Sequence, residues 1–236
     1  MRDAMRRADF TDNLLHSALA SMVLTDSGNR CRTVSLMRKQ KILVIGFQKT
    51  GTSSLGAALE ILGYSVCDAV GIHDIKNEAD AKSIALPCLD KYDAFQDNPW
   101  PILYLWLHHH YPDASFIHTV RDEDSWISSV VRHFSGRSTA MRQWIYTEGD
   151  PAGNEEIYLQ RYRRHNDEVA AYFAGNAGNY LRMDLAEDDN WAPLCDLLDC
   201  KVPRTRFPHM NSAGVRENRL LNGLQRRFYR LRTLIR

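Results

Sequence analysis

Within nine positions, Gly46-Phe47-Gln48-Lys49-Thr50-Gly51-Thr52-Ser53-Ser54 gathers two glycines, one lysine and four hydroxyl side chains. If a strand enters this segment and a helix leaves it, backbone N–H groups and the helix N-terminus face one point, and an anion can sit there. Gly46 then lets the chain leave the strand, and Gly51 removes a side chain where oxygens would approach the backbone. Thr50, Thr52, Ser53 and Ser54 add hydroxyl donors, and Lys49 adds a mobile positive charge. Gly46 and Gly51 have the spacing of the Walker A pattern G-x4-G-K-[ST], but Thr52 stands where its lysine belongs. The displaced charge argues against a nucleotide kinase or ATPase. The plain alternative is a solvated turn rich in Gly, Ser and Thr.

The flanking sequence supplies the elements such a loop needs. Lys41 to Gly46 carries the unbroken apolar run Ile42-Leu43-Val44-Ile45, which suits a parallel strand buried on both faces. From about Thr52 to Leu62, Leu55, Ala58, Leu59 and Leu62 repeat at helical spacing, and Gly63 stands where a helix ends. Tyr64 to Cys67 reads as a second strand. Farther on, Ala79 to Leu89 is helical but interrupted by Pro87, and Tyr92 to Gln96 reads as a strand. Ile102 to His110 is a helix and Ser115 to Val120 another buried strand. Asp122 is the expected cap of a helix with the stripe Trp126, Val130 and Phe134. Residues 135–153 read as a polar stretch, Glu155 to Phe173 as a long helix, Asn179 to Met183 as a strand. A short helix carries Trp191, Leu194, Leu197 and Leu198. Strands alternating with helices predict a three-layer α/β fold with a mostly parallel central sheet.

At 236 residues the chain is long enough for one such domain with a sizeable core. A formal net charge of +1 offers no general attraction to nucleic acid, so anion binding must be local. Cys31, Cys67, Cys88, Cys195 and Cys200 form no CxxC pair, which suits a reducing compartment and argues against structural zinc. The apolar run Leu14 to Leu24 is too short to span a bilayer. Residues 1–39 read as a leader or amphipathic extension. His108, His109 and His110 point about 100° apart on a helix, so they cannot all ligate one ion.

Lys49-Thr50-Gly51-Thr52-Ser53 resembles the 5′-phosphosulfate loop of the sulfotransferases that use 3′-phosphoadenosine 5′-phosphosulfate (PAPS), and the likeness extends from about Lys41 to Asn211. The resemblance implies a fold with P-loop-NTPase-like topology over residues 40–212, PAPS as co-substrate, no metal, and a cytoplasmic setting. It assigns donor binding to Lys49, Thr50, Gly51, Thr52, Ser53 and Ser54. It also demands an arginine at the end of a later strand and a serine eight residues on, for the donor's 3′-phosphate. Arg121 and Ser129 have that spacing, and a planar guanidinium suits a phosphate. Many members carry an aromatic residue where Ser54 stands, so the adenine contact lies elsewhere.

The same resemblance implies that Lys49 stabilises the leaving oxygen and that a His, Glu or Asp near the end of an intervening strand accepts the acceptor's proton. Asp97 is the best-placed carboxylate and Asp93 its rival, although Asp97 could simply open the turn Asp97-Asn98-Pro99. The acceptor that the resemblance implies is a hydroxyl of a carbohydrate or small metabolite. A late loop with Arg204, Arg206, His209 and Asn211 could close over the donor. Residues 213–236, with seven arginines from Arg216 on, read as a basic amphipathic helix, packed on its own domain or touching an anionic membrane. Two other functions fit the same loop: a small-molecule kinase, or a non-enzymatic nucleotide-binding scaffold.

Overall fold

The computed structural model describes residues 40–175, 179–187 and 190–210; the expected leader and basic C-terminal helix lie outside them. In chain order the elements are β1 (Ile42–Val44), α1 (Thr52–Ile61), β2 (Val66–Cys67), α2 (Glu78–Leu89), β3 (Ala94–Phe95), a 3-10 turn (Trp100–Leu103) and α3 (Tyr104–His110). Then follow β4 (Ser115–Val120), α4 (Glu123–Phe134), α5 (Ala140–Tyr146), α6 (Glu155–Phe173), β5 (Tyr180–Asp184) and α7 (Trp191–Leu197).

The five strands form one parallel sheet in the order β2-β3-β1-β4-β5. β1 and β4 are buried along their whole lengths, as their unbroken apolar runs require. Alternation along β1 feeds both layers. Leu43 and Ile45 join a core with residues of α2 to α6, whereas Ile42 and Val44 join one with Leu55 and Leu59 of α1 and Trp191 and Leu194 of α7.

Local chemistry explains the element ends. Beyond α1, Gly63 takes φ +86°. Its N–H donates to Glu60 O and that of Tyr64 to Leu59 O, the paired bonds that close a helix on a left-handed glycine. Asp122 caps α4, its carboxylate accepting from Ser125 N at 2.9 Å. One expectation fails: residues 135–153 are not simply a polar stretch. They contain α5, whose Met141, Ile145 and Tyr146 are buried. Seven residues give too short a stripe for periodicity to stand out. Pro87 does not break α2 either, which runs through it.

The connections from β1 and β4 leave in opposite directions, to β2 on one side and β5 on the other. Neighbouring strands whose exits diverge leave a crevice at their C-terminal ends, where such sheets bind ligands. Residues 46–52 and Arg121 stand at that crevice.

Candidate functional site

The loop after β1 is built on an unusually close approach of two strands. A Cβ on Gly46 would lie 2.1 Å from both the carbonyl oxygen and Oγ1 of Thr119 on β4, so only glycine fits. The loop then turns through two left-handed residues, Lys49 at φ 72° and Gly51 at φ 96°, before α1 begins. Successive backbone conformations of this kind tip N–H groups toward one side. The first N–H groups of α1 have no preceding helical carbonyl to bond. Gly51 also has a packing role within the fold. Its missing Cβ would meet Leu185 Cδ1 at 2.6 Å, so the glycine accommodates the turn and the segment after β5.

The hydroxyl groups are also not equivalent. Thr50 is buried; its hydroxyl donates to Phe47 O at 2.6 Å and so accepts from Thr119 Oγ1, also at 2.6 Å. That side chain braces the loop from within and leaves only its backbone N–H for a ligand. Thr52 donates to Asp97 Oδ1 at 2.7 Å. Ser54 accepts from Met210 N at 3.1 Å, tying the late segment to α1. Ser53 stays partly exposed. The late segment is held besides by Phe207, which packs against Trp191 at 5.0 Å, while Arg204, Arg206 and His209 are exposed and Asn211 lies outside the described residues.

Asp97 sits just past β3 with φ 63°, a left-handed conformation that aspartate tolerates better than most residues. Strand alternation therefore does not carry through it. Enclosure raises its pKa; the Thr52 hydrogen bond opposes this, the Asp68 carboxylate adds to it, and the Lys49 charge lowers it. Asp97 also opens the expected turn, its carbonyl oxygen accepting from Trp100 N at 3.1 Å. Asp93 is separated from the site. It lies at the opposite end of the short strand, where its carboxylate accepts from Ser65 N and Oγ.

Arg121 leaves β4 and donates from Nη1 to Lys49 O at 3.2 Å, so it reaches across to the loop. Its backbone is clamped by the Tyr162 hydroxyl, which accepts from Arg121 N and donates to Arg121 O. Ser129 is on the buried face of α4 with Trp126 and Val130. Trp126 Nε1 donates to Gln48 O, which fastens that face to the loop, but no hydrogen bond joins Ser129 to Arg121 among the described residues. Beyond Arg121 lies a cavity of about 580 Å³, entered past Tyr162, Asn166, Arg182 and Asp184.

Several supporting residues escape sequence reading. Gln48 is buried, donates to the Tyr146 hydroxyl at 2.7 Å and accepts from Asn98 at 2.6 Å. His165 is buried against Phe47, rings stacked 4.2 Å apart, and its Nε2 donates to Ile45 O at the end of β1. Burial pushes its pKa down to about 3. His118 is bonded to Tyr180 and Asn166, and burial lowers its pKa to about 4. Their only sequence signal is a polar residue amid apolar neighbours, which names no partner. His108 and His110 turn to different partners, the Tyr172 hydroxyl and Trp106 O. Among the described residues, no helix is long and apolar enough to cross a membrane.

The chain is 26% identical over 223 residues to Ava biosynthesis cluster protein M of Aspergillus versicolor, an alignment covering 76% of this chain and 84% of that protein. The profile of the sulfotransferase domain matches residues 41–155 and 134–215, which takes in the whole sheet, the loop after β1, Asp97, Arg121 and the late segment. That span exceeds half of the chain, and the chain belongs to the sulfotransferase domain family.

Proposed function

We propose that this protein transfers a sulfuryl group from PAPS to a hydroxyl of a small-molecule acceptor. The observation that carries the reading is one juxtaposition: an anion-cradling loop, an arginine that bonds to it from the neighbouring strand, and an enclosed carboxylate hydrogen-bonded to the loop's first helical residue. The strand order, with the loop after the central strand, supports a P-loop-NTPase-like topology.

The donor supplies a sulfuryl group on a phosphate leaving group, and the protein's task is positioning and charge stabilisation. The N–H groups of residues 50–53 and the Ser53 hydroxyl hold the phosphosulfate. Lys49 offsets charge on the bridging oxygen as its bond to sulfur breaks. Asp97 takes the acceptor proton as the new O–S bond forms; a raised pKa makes it a better base than a free carboxylate. Thr52 orients that carboxylate through its hydrogen bond. Arg121, with Ser129 near the same helix face, receives the 3′-phosphate, and the nucleoside end enters the cavity beyond. Acids there, such as Asp184, then accept from ribose hydroxyls or the adenine amine, while Arg163 is neutralised by Glu123 at 2.7 Å. The relative's name places it in a biosynthesis cluster, which supports a metabolite as the acceptor.

The test is thermal stabilisation by 3′,5′-diphosphoadenosine compared with ATP plus Mg²⁺. A ligand that binds only the folded state raises its melting temperature. The diphosphate should stabilise and ATP should not; a response to ATP alone would indicate a kinase, and a response to neither a scaffold.

A further inference from the structure

The inner face of α6 carries Tyr158, Tyr162, His165 and Val169 at helical spacing, all buried. Arg161 falls on that same stripe, three residues after Tyr158 and four before His165, where the pattern calls for an apolar side chain. Its guanidinium lies over the Phe47 ring, 5.3 Å from the centroid, and its Nη1 is enclosed with no hydrogen-bond partner. Arg163 and Arg164 on the same helix each have a glutamate within ion-pair distance; Arg161 has none among the described residues. A guanidinium taken out of water without a counter-ion is costly, and one maintained in a fold needs a reason.

Arg142 offers a control within the molecule. It too has an enclosed Nη2 without a partner and lies over a ring, Phe134. Its Nε, however, donates to Gly149 O at 2.9 Å and so holds the turn after α5. Arg161 makes no such backbone bond among the described residues. The residue as a whole is only partly buried.

The ring beneath Arg161 belongs to the loop after β1. Phe47 leads directly to Gln48 and Lys49, and Gln48 links Tyr146 on one side to Asn98 on the other. Asn98 follows Asp97. The Phe47 ring under Arg161 meets Tyr146 of α5 edge-on at 5.7 Å and stacks on His165, which Tyr104 of α3 meets at 6.0 Å. Asn98 Oδ1 and Gln96 Oε1, on either side of Asp97, are enclosed acceptors that lack donors. Arg161 and Asn98 thus leave a donor and an acceptor unused beside the same loop, whereas Gln96 Oε1 faces Gly56 of α1.

We propose that the acceptor substrate bears a carboxylate, bound by Arg161, while its hydroxyl is presented to Asp97. The inference rests on the transfer reading above and narrows its acceptor class. A planar monoanion matches one forked guanidinium among the rings of Phe47, Tyr104 and Tyr146 better than a doubly charged phosphate does. The carboxylate supplies the missing counter-ion, and a donor group on the same molecule can satisfy Asn98.

The experiment measures stabilisation of the full chain, with and without saturating 3′,5′-diphosphoadenosine, by matched probes: 4-hydroxyphenylacetate, 4-hydroxybutyrate and 3-hydroxybutyrate, each beside its primary amide. At least one acid should bind about tenfold or more tightly than its amide, the worth of a charge-assisted bond. The Arg161→Gln variant should lose that preference while its response to the diphosphate is unchanged, which also certifies its fold. Arg161→Lys, keeping the charge without the fork, should retain part of the preference. No acid surpassing its amide in the wild type, or an undiminished preference in Arg161→Gln, overturns the proposal. Absence of any response to the diphosphate counts against the transfer reading instead, and an Arg161-dependent acid preference would stand without it.

Discussion

Acidification should destabilise this protein through two histidines that never touch the reacting groups. His118 and His165 are both fully enclosed, with pKa values lowered by burial to about 4 and about 3. In the unfolded chain each returns to about 6.5. Between those limits the unfolded state binds more protons than the folded one, so stability falls as pH drops from about 6.5 toward 4. Near pH 5 each histidine is almost wholly protonated when unfolded and almost wholly neutral when folded. The difference is about 1.5 pH units, or ~2 kcal/mol for each and ~4 kcal/mol for the pair. Against a total of roughly 5–15 kcal/mol, that is a large share. Asp97 works in the opposite direction, because a raised carboxylate pKa favours the folded state as it protonates. Urea unfolding near pH 8 and near pH 5 gives the loss directly. The His165→Gln variant, which retains an N–H for Ile45 O, should show about half the acid loss whatever its absolute stability. A change below about 1 kcal/mol in the wild type, or an undiminished loss in the variant, would refute the reasoning.

Three further outcomes are expected. Asp97→Asn should lower transfer by about 10²–10⁴-fold, the usual contribution of a general base, while 3′,5′-diphosphoadenosine still raises the melting temperature as in the wild type; turnover kinetics beside thermal shift would separate the two. Arg121→Leu should weaken binding of the 3′,5′-diphosphate far more than that of adenosine 5′-phosphate, and calorimetric titration of both ligands would detect it. Equal losses would remove Arg121 from the 3′-phosphate. Gly46→Ala should destabilise by at least about 1–3 kcal/mol, because the new methyl meets Thr119 O and Oγ1 at 2.1 Å and backbone must shift; denaturant midpoints at constant slope would measure it.

Much of the framework was legible from local pattern. The apolar runs at residues 42–45 and 115–120 mark strands buried on both faces, because such strands need no alternation. The stripe of α1 and the glycine after it mark that helix and its end, since cap chemistry is carried by neighbours in sequence. The loop between them was legible as a glycine-bearing connection from a buried strand to a helix, with its lysine displaced from the Walker position. α5 was not legible, because seven residues within a polar stretch give periodicity too little length.

What the loop's side chains do was decided only by tertiary structure. Composition alone offers four hydroxyls and two glycines to an anion. The fold turns Thr50 inward to Thr119, gives Thr52 to Asp97 and Ser54 to Met210, and sets Gly46 and Gly51 against Thr119 and Leu185. Those partners lie 45 to 156 residues away in the chain. Asp97 and Asp93, four positions apart in sequence, likewise find different partners at opposite ends of a strand, Thr52 for one and Ser65 for the other. Arg161 is the clearest case. Its position on the buried stripe of α6 is written in the sequence, but that it lies unpaired over Phe47 exists only once α6 has packed on the loop. Local sequence fixes which backbone conformations are cheap; the partner of each polar group depends on which distant segments the sheet order brings to one crevice.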